Sequence, residues 1–351
     1  MLKKFFKKKI QTLTLSTTAK VWLANHEFEG EPKLEDFTLK EETLPPLKDG
    51  EILIEAVFLS LDPYFRKLPV KDGLPGEQIA RVIETKAEGF PKGALVCAHA
   101  GWRSRSIIDV NTPLKFGLKV ELIDQVPGLS PSLWIGAIGI PGMTAYLSFL
   151  ERCNPVKGEV IVISAASGAV GSIVGQLAKI EGLTVIGLAG SEDKCKYIKE
   201  IGFDHAINYK KEDISSVLDK VAPDGVDIYF DNVGGDVADV VFGKLRAKGR
   251  VLLCGEISTY NKVQSKGTNW NAQIISKELR VEGFFAFSPN NIKEYPRVRK
   301  ELVSLFEQGK LKAKEHVTEG FENMHKAFLE LFSGSNFGKA IVKSSSGLHL
   351  F

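Results

Sequence analysis

The sequence predicts an α/β protein in which a doubly wound parallel sheet is joined to a second, β-rich domain. From residue 159 to about residue 255 apolar strands alternate with amphipathic helices, which is the rhythm of βαβ units around a parallel sheet. Residues 19 to about 130 show short strands separated by Gly and Pro, without that rhythm. A chain of 351 residues suffices for one large or two medium domains, and we place the boundary near residue 132.

The composition is that of an ordinary globular protein. Hydrophobic residues make up 44% and charged residues 25% of the chain, and no apolar run is long enough to span a bilayer. The net charge of +3 gives no electrostatic case for a nucleic acid or an anionic membrane as a partner.

Cysteine and histidine are scattered, with no CxxC motif and no ligand spacing. The residues are Cys97, Cys153, Cys195 and Cys254, and His26, His99, His205, His316, His325 and His349. This pattern argues against a disulfide framework and against a metal site, and it fits a reducing compartment. Ser167 lacks a GxSxG elbow and an evident base, so we expect no nucleophile there.

Residues 1–18 are basic, rich in hydroxyl groups and free of acids. A mitochondrial leader would look similar but would usually contain Arg, which this segment lacks. We expect a disordered extension on a cytoplasmic protein, with a mitochondrial location as the alternative if the segment is a leader.

The β-rich region contains two well-marked strands. Alternation of apolar and polar residues predicts strands at residues 51–60 and 77–84, and Gly/Pro turns separate further short strands. A small barrel or a partly open β domain is the natural interpretation. After it, residues 133–150 read as an apolar helix interrupted by Pro141 and Gly142.

Residues 159–182 have the pattern of a phosphate cradle. The apolar run 160–163 predicts a buried strand, and a helical pattern begins near Val170 after a small-residue turn. Free amide N–H groups and the helix dipole favour an anion at such a turn. Gly168 and Gly171 are present, but Ala165 and Ala166 stand where the full fingerprint has its first glycine. The alternative is a strand–helix corner that needs small residues only for packing.

The alternation then continues to the C-terminal part of the chain. Predicted strands are 183–189, 205–209, 226–231, 250–255 and 278–285, and predicted helices are 191–201, 211–221, 236–245 and 294–309. A last helix at 322–331 and a strand at 338–343 are too short to form a domain, and we expect them to return to the first one.

The residues at the end of the second strand of the parallel sheet indicate which of the two nicotinamide cofactors is bound. This strand ends at Gly190 without the acid that holds the ribose 2′-hydroxyl in NAD sites. Ser191 reads as a helix N-cap, so Glu192 and Asp193 suit the first helical turn without a ligand. Lys194 can then reach a 2′-phosphate, with Tyr209 nearby, which favours NADP. The alternative is a solvated Lys194.

Two loops at later strand ends should face the cofactor, since doubly wound sheets bind ligands at the carboxyl ends of their strands. They are residues 231–235 and 254–260. Asn232 is either a donor to the cofactor or a turn residue, and Tyr260 is either a proton donor or a packing aromatic. For Tyr64, which follows the turn at Asp62–Pro63, core packing is the default.

Together these residues resemble the zinc-independent medium-chain dehydrogenase/reductase superfamily, and within it the prostaglandin reductase family, also called leukotriene B4 12-hydroxydehydrogenases or alkenal/one oxidoreductases. The matching motifs are LPPLKDGE (44–51), FLSLDPYFR (58–66), PKG and GW (91–102), PGMTAY (141–146), AASGAVGS (165–172), INYK (207–210), YFDNVGG (229–235), GRVLLCGEISTYN (249–261), EGFENMHKAF (319–328) and SNFGKAIVK (335–343). The resemblance implies a GroES-like substrate domain at 19–131 and 314–345 and a Rossmann NADP-binding domain at 132–313, with an extension at 1–18 and a tail at 346–351.

The resemblance also implies roles for particular residues. The cofactor would be held by Gly168, Ala169, Val170, Gly171, Lys194, Tyr209, Asn232, Cys254, Gly255, Glu256, Ile257, Ser258, Thr259, Tyr260, Phe284, Phe285, Ala286 and Asn336. Tyr64 and Tyr260 would be the substrate-site tyrosines, with Tyr260 catalytic. Residues 67–78 are shorter than in the family, and residues 261–273 lack its proline-rich character. Both segments are expected to border the substrate site.

The implied activity is NADPH-dependent reduction of the carbon–carbon double bond of α,β-unsaturated ketones and aldehydes. It includes 15-oxo-prostaglandin 13-reductase and 2-alkenal reductase activity, with oxidation of the leukotriene B4 12-hydroxyl as a further family activity. The alternatives are an NADPH quinone reductase of the same superfamily and a non-catalytic NADPH-binding protein. The expected partners are a lipid-like enone or enal and a second copy of the chain in a homodimer.

Overall fold

The computed structural model describes residues 17–71, 73–261 and 270–344. The predictions for residues 1–16 and for the tail at 346–351 therefore lie outside the described residues. Most of the atypical loop at 261–273 lies outside them as well.

The N-terminal strands are short and follow the predicted punctuation. They are β1 (Thr18–Ala24), β2 (Phe37–Thr43), β3 (Glu51–Ser60), β4 (Gln78–Thr85), β5 (Leu95–Ala98), β6 (Arg105–Asp109) and β7 (Glu121–Leu122). The predicted strand at 51–60 is confirmed to the residue, and β4 begins and ends one residue after the predicted strand. β3 is central and almost wholly buried, because it pairs with β4 along one edge and with β6 along the other.

The helical segment predicted at 133–150 is confirmed over residues 140–150, but its predicted interruption at Pro141 and Gly142 is wrong. Pro131–Ile135 forms a separate 3-10 turn, and helix α1 (Ile140–Tyr146) begins after it and continues into a π-helical turn at Leu147–Cys153. Pro141 lies in the first turn of α1, where its missing N–H would have no helical partner. It therefore helps to begin the helix rather than to interrupt it.

The parallel lobe comprises the strands and helices from β8 to α8. They are β8 (Val160–Ile163), α2 (Gly171–Ile180), β9 (Thr184–Ala189), α3 (Glu192–Glu200), β10 (His205–Asn208), α4 (Ile214–Val221), β11 (Val226–Asp231), α5 (Gly235–Gly243), β12 (Leu245–Leu253), α6 (Asn271–Lys277), β13 (Arg280–Gly283), α7 (Pro289–Ile292) and α8 (Tyr295–Glu307). α4 begins three residues later than predicted, because the Asp213 side chain caps it by accepting from the Ser216 N–H. β12 begins five residues earlier than predicted.

The strand order of this sheet is β10-β9-β8-β11-β12-β13, and its neighbouring strands are parallel. The order turns back between β8 and β11, so the loops that follow these two strands meet at the carboxyl edge of the sheet. A doubly wound sheet binds its ligand at this switch point. The predicted fold class is confirmed.

The chain returns to the N-terminal sheet through β14 (Glu315–Glu319), α9 (Met324–Ser333) and β15 (Lys339–Lys343). β15 pairs antiparallel with β3 and carries β14 on its other side, which completes a sheet in the order β14-β15-β3-β4-β5-β7. We call this sheet, with α9 and the β1–β2 hairpin, the mixed lobe. None of the described helices is both long and apolar enough to cross a membrane.

Candidate functional site

The turn between β8 and α2 leaves backbone donors free. Gly168 closes it by donating its N–H to the Ala165 carbonyl oxygen at 2.9 Å, and Ala165 adopts a left-handed conformation with a φ of 47°. In the described part of the chain, the N–H groups of Ala169, Val170 and Gly171 donate to no protein acceptor. Three free donors at the start of a ten-residue helix favour an anion.

Gly171 is also required for packing. A Cβ atom there would lie 2.6 Å from the Ala165 carbonyl oxygen and 3.0 Å from the Ala166 Cα atom. The packing interpretation of this turn therefore holds for Gly171, but it does not account for the free N–H groups.

Asp231, at the end of β11, joins the two loops of the switch point. Its buried Oδ1 atom accepts hydrogen bonds from the Ser164 hydroxyl, the Tyr229 hydroxyl and the N–H groups of Val233 and Gly234, at 2.8 to 3.0 Å. This one carboxylate therefore fixes the loop after β11 against the end of β8.

Asn232 is tethered to the same strand end. Its side-chain amide donates to the Ser164 carbonyl oxygen and its N–H donates to the Ser164 hydroxyl, both at 2.8 Å. The side chain thus ties the loop after β11 to the end of β8, while its Oδ1 atom accepts no hydrogen bond within the described residues.

The predicted loop at 254–260 lies directly against the loop at 231–235. The N–H groups of Cys254 and Gly255 donate to the Asp231 carbonyl oxygen, and the Ser258 hydroxyl donates to the Val233 carbonyl oxygen at 2.7 Å. Gly235 has a φ of 60°, and a Cβ atom there would lie 2.8 Å from the Ser258 hydroxyl. Burial raises the pKa of the Cys254 thiol to about 12, so it stays protonated at neutral pH.

Within that loop the backbone closes on itself and on the switch point. The Ile257 N–H donates to the Asn232 carbonyl oxygen and the Thr259 N–H donates to the Glu256 carbonyl oxygen. Tyr260 is the last residue of this loop, on the side from which the chain continues towards the mixed lobe.

Lys194 lies at the N-terminal end of α3, where Ser191 caps the helix as predicted by accepting from the Lys194 N–H. Its ammonium group donates to the Gly334 carbonyl oxygen at 2.8 Å and pairs with no acid in the described part of the chain. Burial, and then the charge of Lys210, lower its pKa. The Glu192 carboxylate accepts a hydrogen bond from the Asn208 side-chain amide at 2.8 Å.

Tyr209 directly follows β10, and its N–H donates to the carbonyl oxygen of Ala189, the last residue of β9, at 3.2 Å. Its hydroxyl would lie 2.8 Å from a Cβ atom on Gly190, the residue that directly follows β9. The structure therefore brings Lys194, Tyr209 and the end of β9 together.

Asn336 belongs to a segment of the mixed lobe that reaches the parallel lobe. Its side-chain amide donates to the Gly338 carbonyl oxygen at 3.2 Å, and the neighbouring Phe337 ring packs edge-on against Tyr197 of α3 at 5.2 Å. The segment therefore lies on the same helix as Lys194.

Residues 284–286 continue the carboxyl edge beyond β13. The Phe284 N–H donates to the Leu253 carbonyl oxygen at 3.1 Å, next to Cys254, and the Ala286 carbonyl oxygen accepts from the Tyr295 hydroxyl at 2.6 Å. The Phe285 side chain is 62% exposed, so a large apolar ring is open to a ligand.

The two predicted substrate-site tyrosines lie on loops that contact each other. Arg66, in the same 3-10 turn as Tyr64, donates from Nε to the Asn261 Oδ1 atom at 2.6 Å. Lys67 places its ammonium group 5.5 Å from the centre of the Tyr260 ring. Burial raises the pKa of both tyrosines, so both hydroxyls are protonated at neutral pH.

An aromatic cluster, which the sequence interpretation missed in part, lies beside Tyr64. Phe287 stacks on Phe116 with ring centres 4.1 Å apart and contacts Tyr64 at 5.7 Å and Phe285 at 5.8 Å. Phe287 directly follows the predicted residues 284–286, a signal that could have found it. Nothing in the sequence around Phe116 indicated this contact.

Comparison with known proteins places the chain in a family. Residues 20–115 match the model described as the N-terminal domain of oxidoreductase, and residues 169–304 match the model described as zinc-binding dehydrogenase. Prostaglandin reductase 1 of Bos taurus is 43% identical over 334 residues, covering 93% of this chain and 99% of that protein. The chain belongs to the prostaglandin reductase family. Its fold is therefore the two-lobed one of medium-chain dehydrogenases/reductases, with a Rossmann lobe and a GroES-like lobe.

Other members and a solved structure agree with this family. The NADP-dependent 2-alkenal reductase of Nicotiana tabacum is 40% identical, covering 90% of this chain and 95% of that protein. The crystal structure of CurA in complex with NADPH from Vibrio vulnificus superposes with a TM-score of 0.85 at 34% identity, covering 93% of this chain and 99% of that one. One matching family model names zinc, whereas no group of three or more possible metal ligands occurs among the residues that the structure describes.

Proposed function

We propose that this chain is an NADPH-dependent reductase of the carbon–carbon double bond of α,β-unsaturated ketones and aldehydes. One observation carries the proposal: the loop of the protonated Tyr260 contacts the loop of Tyr64 and also the switch-point loop at 231–235. In this proposal the Tyr260 hydroxyl is the proton donor, and its loop contacts the switch-point loop as well as the loop of Tyr64, which packs in the aromatic cluster. The named activities of the prostaglandin and alkenal reductases support the same reaction.

The residues present fit NADPH. The turn at 168–171 offers the pyrophosphate three N–H groups that donate to no acceptor among the described residues, and a Cβ atom on Gly171 would fill the turn. Lys194, which pairs with no acid among the described residues, is the cation for the 2′-phosphate, and Tyr209 adjoins the same strand end. Asn232, the loop at 254–260, residues 284–286 and Asn336 complete the proposed contacts. Sheet membership supports the division into 19–131 with 314–345 and 132–313.

NADPH, when bound, supplies the hydride that reduces the β-carbon. The negative charge that develops on the carbonyl oxygen then requires a donor, and the Tyr260 hydroxyl keeps its proton because burial raises its pKa. The Lys67 ammonium group at the Tyr260 ring adds positive potential on the same side. Water can protonate the α-carbon, so the mechanism requires no separate general acid.

The aromatic cluster supports a lipid-like substrate. Tyr64, Phe116, Phe285 and Phe287 form a continuous apolar surface, and binding pockets for apolar molecules are lined mainly by such side chains. An extended enone, such as a 15-oxo-prostaglandin, and a shorter alkenal would both present an apolar chain to it.

A panel of substrates tests the proposal. NADPH and NADH oxidation would be followed in parallel with an alkenal, a 15-oxo-prostaglandin-type enone and a quinone. We expect turnover of the alkenal and the enone, with NADPH preferred. Turnover of the quinone alone would instead support a quinone reductase, and no turnover at saturating NADPH would support a non-catalytic NADPH-binding protein. The reverse assay, with leukotriene B4 and NADP, tests oxidation of the 12-hydroxyl.

We also propose that the chain forms a homodimer and works in the cytoplasm. β13 ends the parallel sheet, and its outer edge pairs with no strand in the described part of the chain, so a second copy can pair there. Sedimentation velocity would show a monomer if this is wrong. Fluorescent fusions with and without residues 1–18 would reveal a mitochondrial leader.

A further inference from the structure

We infer that Lys210 is a second cation for the cofactor's 2′-phosphate and that it contributes, with Lys194, to the preference for NADPH over NADH. The inference rests on the proposed function, since it concerns the same nucleotide site. Lys210 follows Tyr209, directly after β10. Three separate features of the structure support its proposed role.

The first feature is the path of the Lys210 side chain. A Cβ atom on Gly190 would lie 3.4 Å from the Lys210 Cε atom and 2.8 Å from the Tyr209 hydroxyl. Gly190 directly follows β9, the second strand of the parallel sheet, and NAD sites place the acid that holds the ribose at the end of this strand. The Lys210 stem therefore crosses the position that faces the adenosine ribose.

The second feature is the charge around it. Lys210 is close enough to Lys194 for its charge to lower the pKa of Lys194. In the described part of the chain, the Lys210 ammonium group has no hydrogen bond to protein and neither lysine has an acid partner, whereas the adjacent Lys211 pairs with Glu192 at 3.2 Å. Two cations that repel each other without an acid form a site for an added anion.

The third feature is the engagement of the nearby acids. Glu192 accepts from the Asn208 side-chain amide, and Glu212 accepts from the Asn208 N–H, both at 2.8 Å. Asn208, which is buried, also accepts from the Lys210 N–H at 3.2 Å. Asn208 thus binds the Glu192 carboxylate through its side chain and the Glu212 carboxylate through its backbone N–H. It also fixes the turn that carries Lys210.

The experiment compares Lys210→Met with Lys211→Met. Methionine keeps most of the apolar stem over Gly190 and removes the charge, and Lys211 is an exposed lysine one residue away that already has an acid partner. Isothermal titration with adenosine 2′,5′-bisphosphate and with adenosine 5′-monophosphate measures the 2′-phosphate contribution without turnover. We expect Lys210→Met to weaken the bisphosphate about tenfold, the effect of one charge-assisted hydrogen bond, and to leave the monophosphate unchanged.

The outcomes separate the two proposals. A wild-type chain that binds the two nucleotides equally well would contradict the NADPH proposal itself. If the wild-type chain prefers the bisphosphate, two results would overturn the role of Lys210. One is an equal loss of bisphosphate affinity in Lys210→Met and Lys211→Met, and the other is no loss in Lys210→Met. Lys210→Arg, which keeps the charge, should stay within about threefold of wild type, and a loss as large as that of Lys210→Met would also overturn it.

Discussion

Lys194 of the parallel lobe donates a hydrogen bond to the carbonyl oxygen of Gly334 in the mixed lobe, at an Nζ–O distance of 2.8 Å. Gly334 is the C-cap of α9, and cations at this end of a helix interact favourably with its last carbonyl groups. The ammonium group that we propose for the 2′-phosphate therefore also connects the two lobes.

Replacing Lys194 by Ala should affect both functions of the side chain. We expect NADPH affinity to fall at least tenfold and NADH affinity to change little, because only NADPH carries the 2′-phosphate. Amide hydrogen exchange in residues 333–338 should become faster, since the hydrogen bond from Lys194 to Gly334 is lost. Fluorescence titration and exchange mass spectrometry measure the two effects. Lys196→Ala, an exposed lysine on the same helix, is the control, and equal losses of NADPH and NADH affinity would contradict the assignment.

Two glycine substitutions distinguish the cradle from an ordinary helix position. Gly171→Ala places a Cβ atom 2.6 Å from the Ala165 carbonyl oxygen, so it should lower the free energy of unfolding by about 1–3 kcal/mol and weaken NADPH binding. Gly243→Ala, at the end of α5, meets no atom within 4 Å. Its free energy of unfolding should stay equal or rise by up to about 1 kcal/mol. Urea denaturation gives both values, and unchanged stability of Gly171→Ala would contradict the packing described for this turn.

Tyr260→Phe removes the proposed hydroxyl donor and keeps the ring beside Lys67. Turnover of an enone should fall on the order of 10²-fold, the usual effect of losing one donor to a developing oxyanion. The dissociation constant of NADPH, measured by fluorescence, should stay within about twofold. Tyr64→Phe serves as the comparison. A Tyr260→Phe variant with wild-type turnover would remove this residue from the mechanism.

The buried carboxyl of Glu77 should make stability depend on pH. Burial raises its pKa from 4.5 to about 8, against the opposing charge of Arg299. The native state therefore keeps a proton that the unfolded state has already released between these pH values, so this group lowers the free energy of unfolding as the pH rises from 4.5 to about 8.

Glu77→Gln removes that dependence. Relative to wild type, its free energy of unfolding should increase with pH in this window, by at most about 1.4 kcal/mol per pH unit. Urea denaturation at several pH values measures this pH dependence of the free energy of unfolding. Glu84→Gln, a substitution at an exposed position, is the control. Parallel pH profiles for wild type and Glu77→Gln would show that Glu77 does not titrate as described.

The sequence predicted those features that depend on neighbouring residues. The alternation in β3 fixed its bounds, and Ser191 could be recognised as a cap because its partner, the Lys194 N–H, is three residues away. The error at residues 133–150 arose because Pro141 is acceptable both as a helix interruption and in a first turn, and only the backbone shows which.

The remaining features depend on contacts between distant parts of the chain. Phe116 stacks on Phe287, and Lys194 donates a hydrogen bond to a carbonyl group 140 residues later. No local pattern encodes such pairs, because they are determined by how the two lobes pack. Lys210 is part of the INYK motif, but only the structure shows that it pairs with no acid among the described residues.

The pairing of β15 with β3 has a consequence for how the protein is made. Lys339, at the start of β15, donates to the carboxylate of Asp62, 277 residues earlier, and this lysine is almost wholly buried. The ribosome therefore releases β3 long before β15 has been synthesised. During that interval the edge of β3 that pairs with β15 in the sheet of the mixed lobe is open. Open strand edges are where nascent chains associate with one another, so we expect this lobe to depend on chaperones until translation is nearly complete.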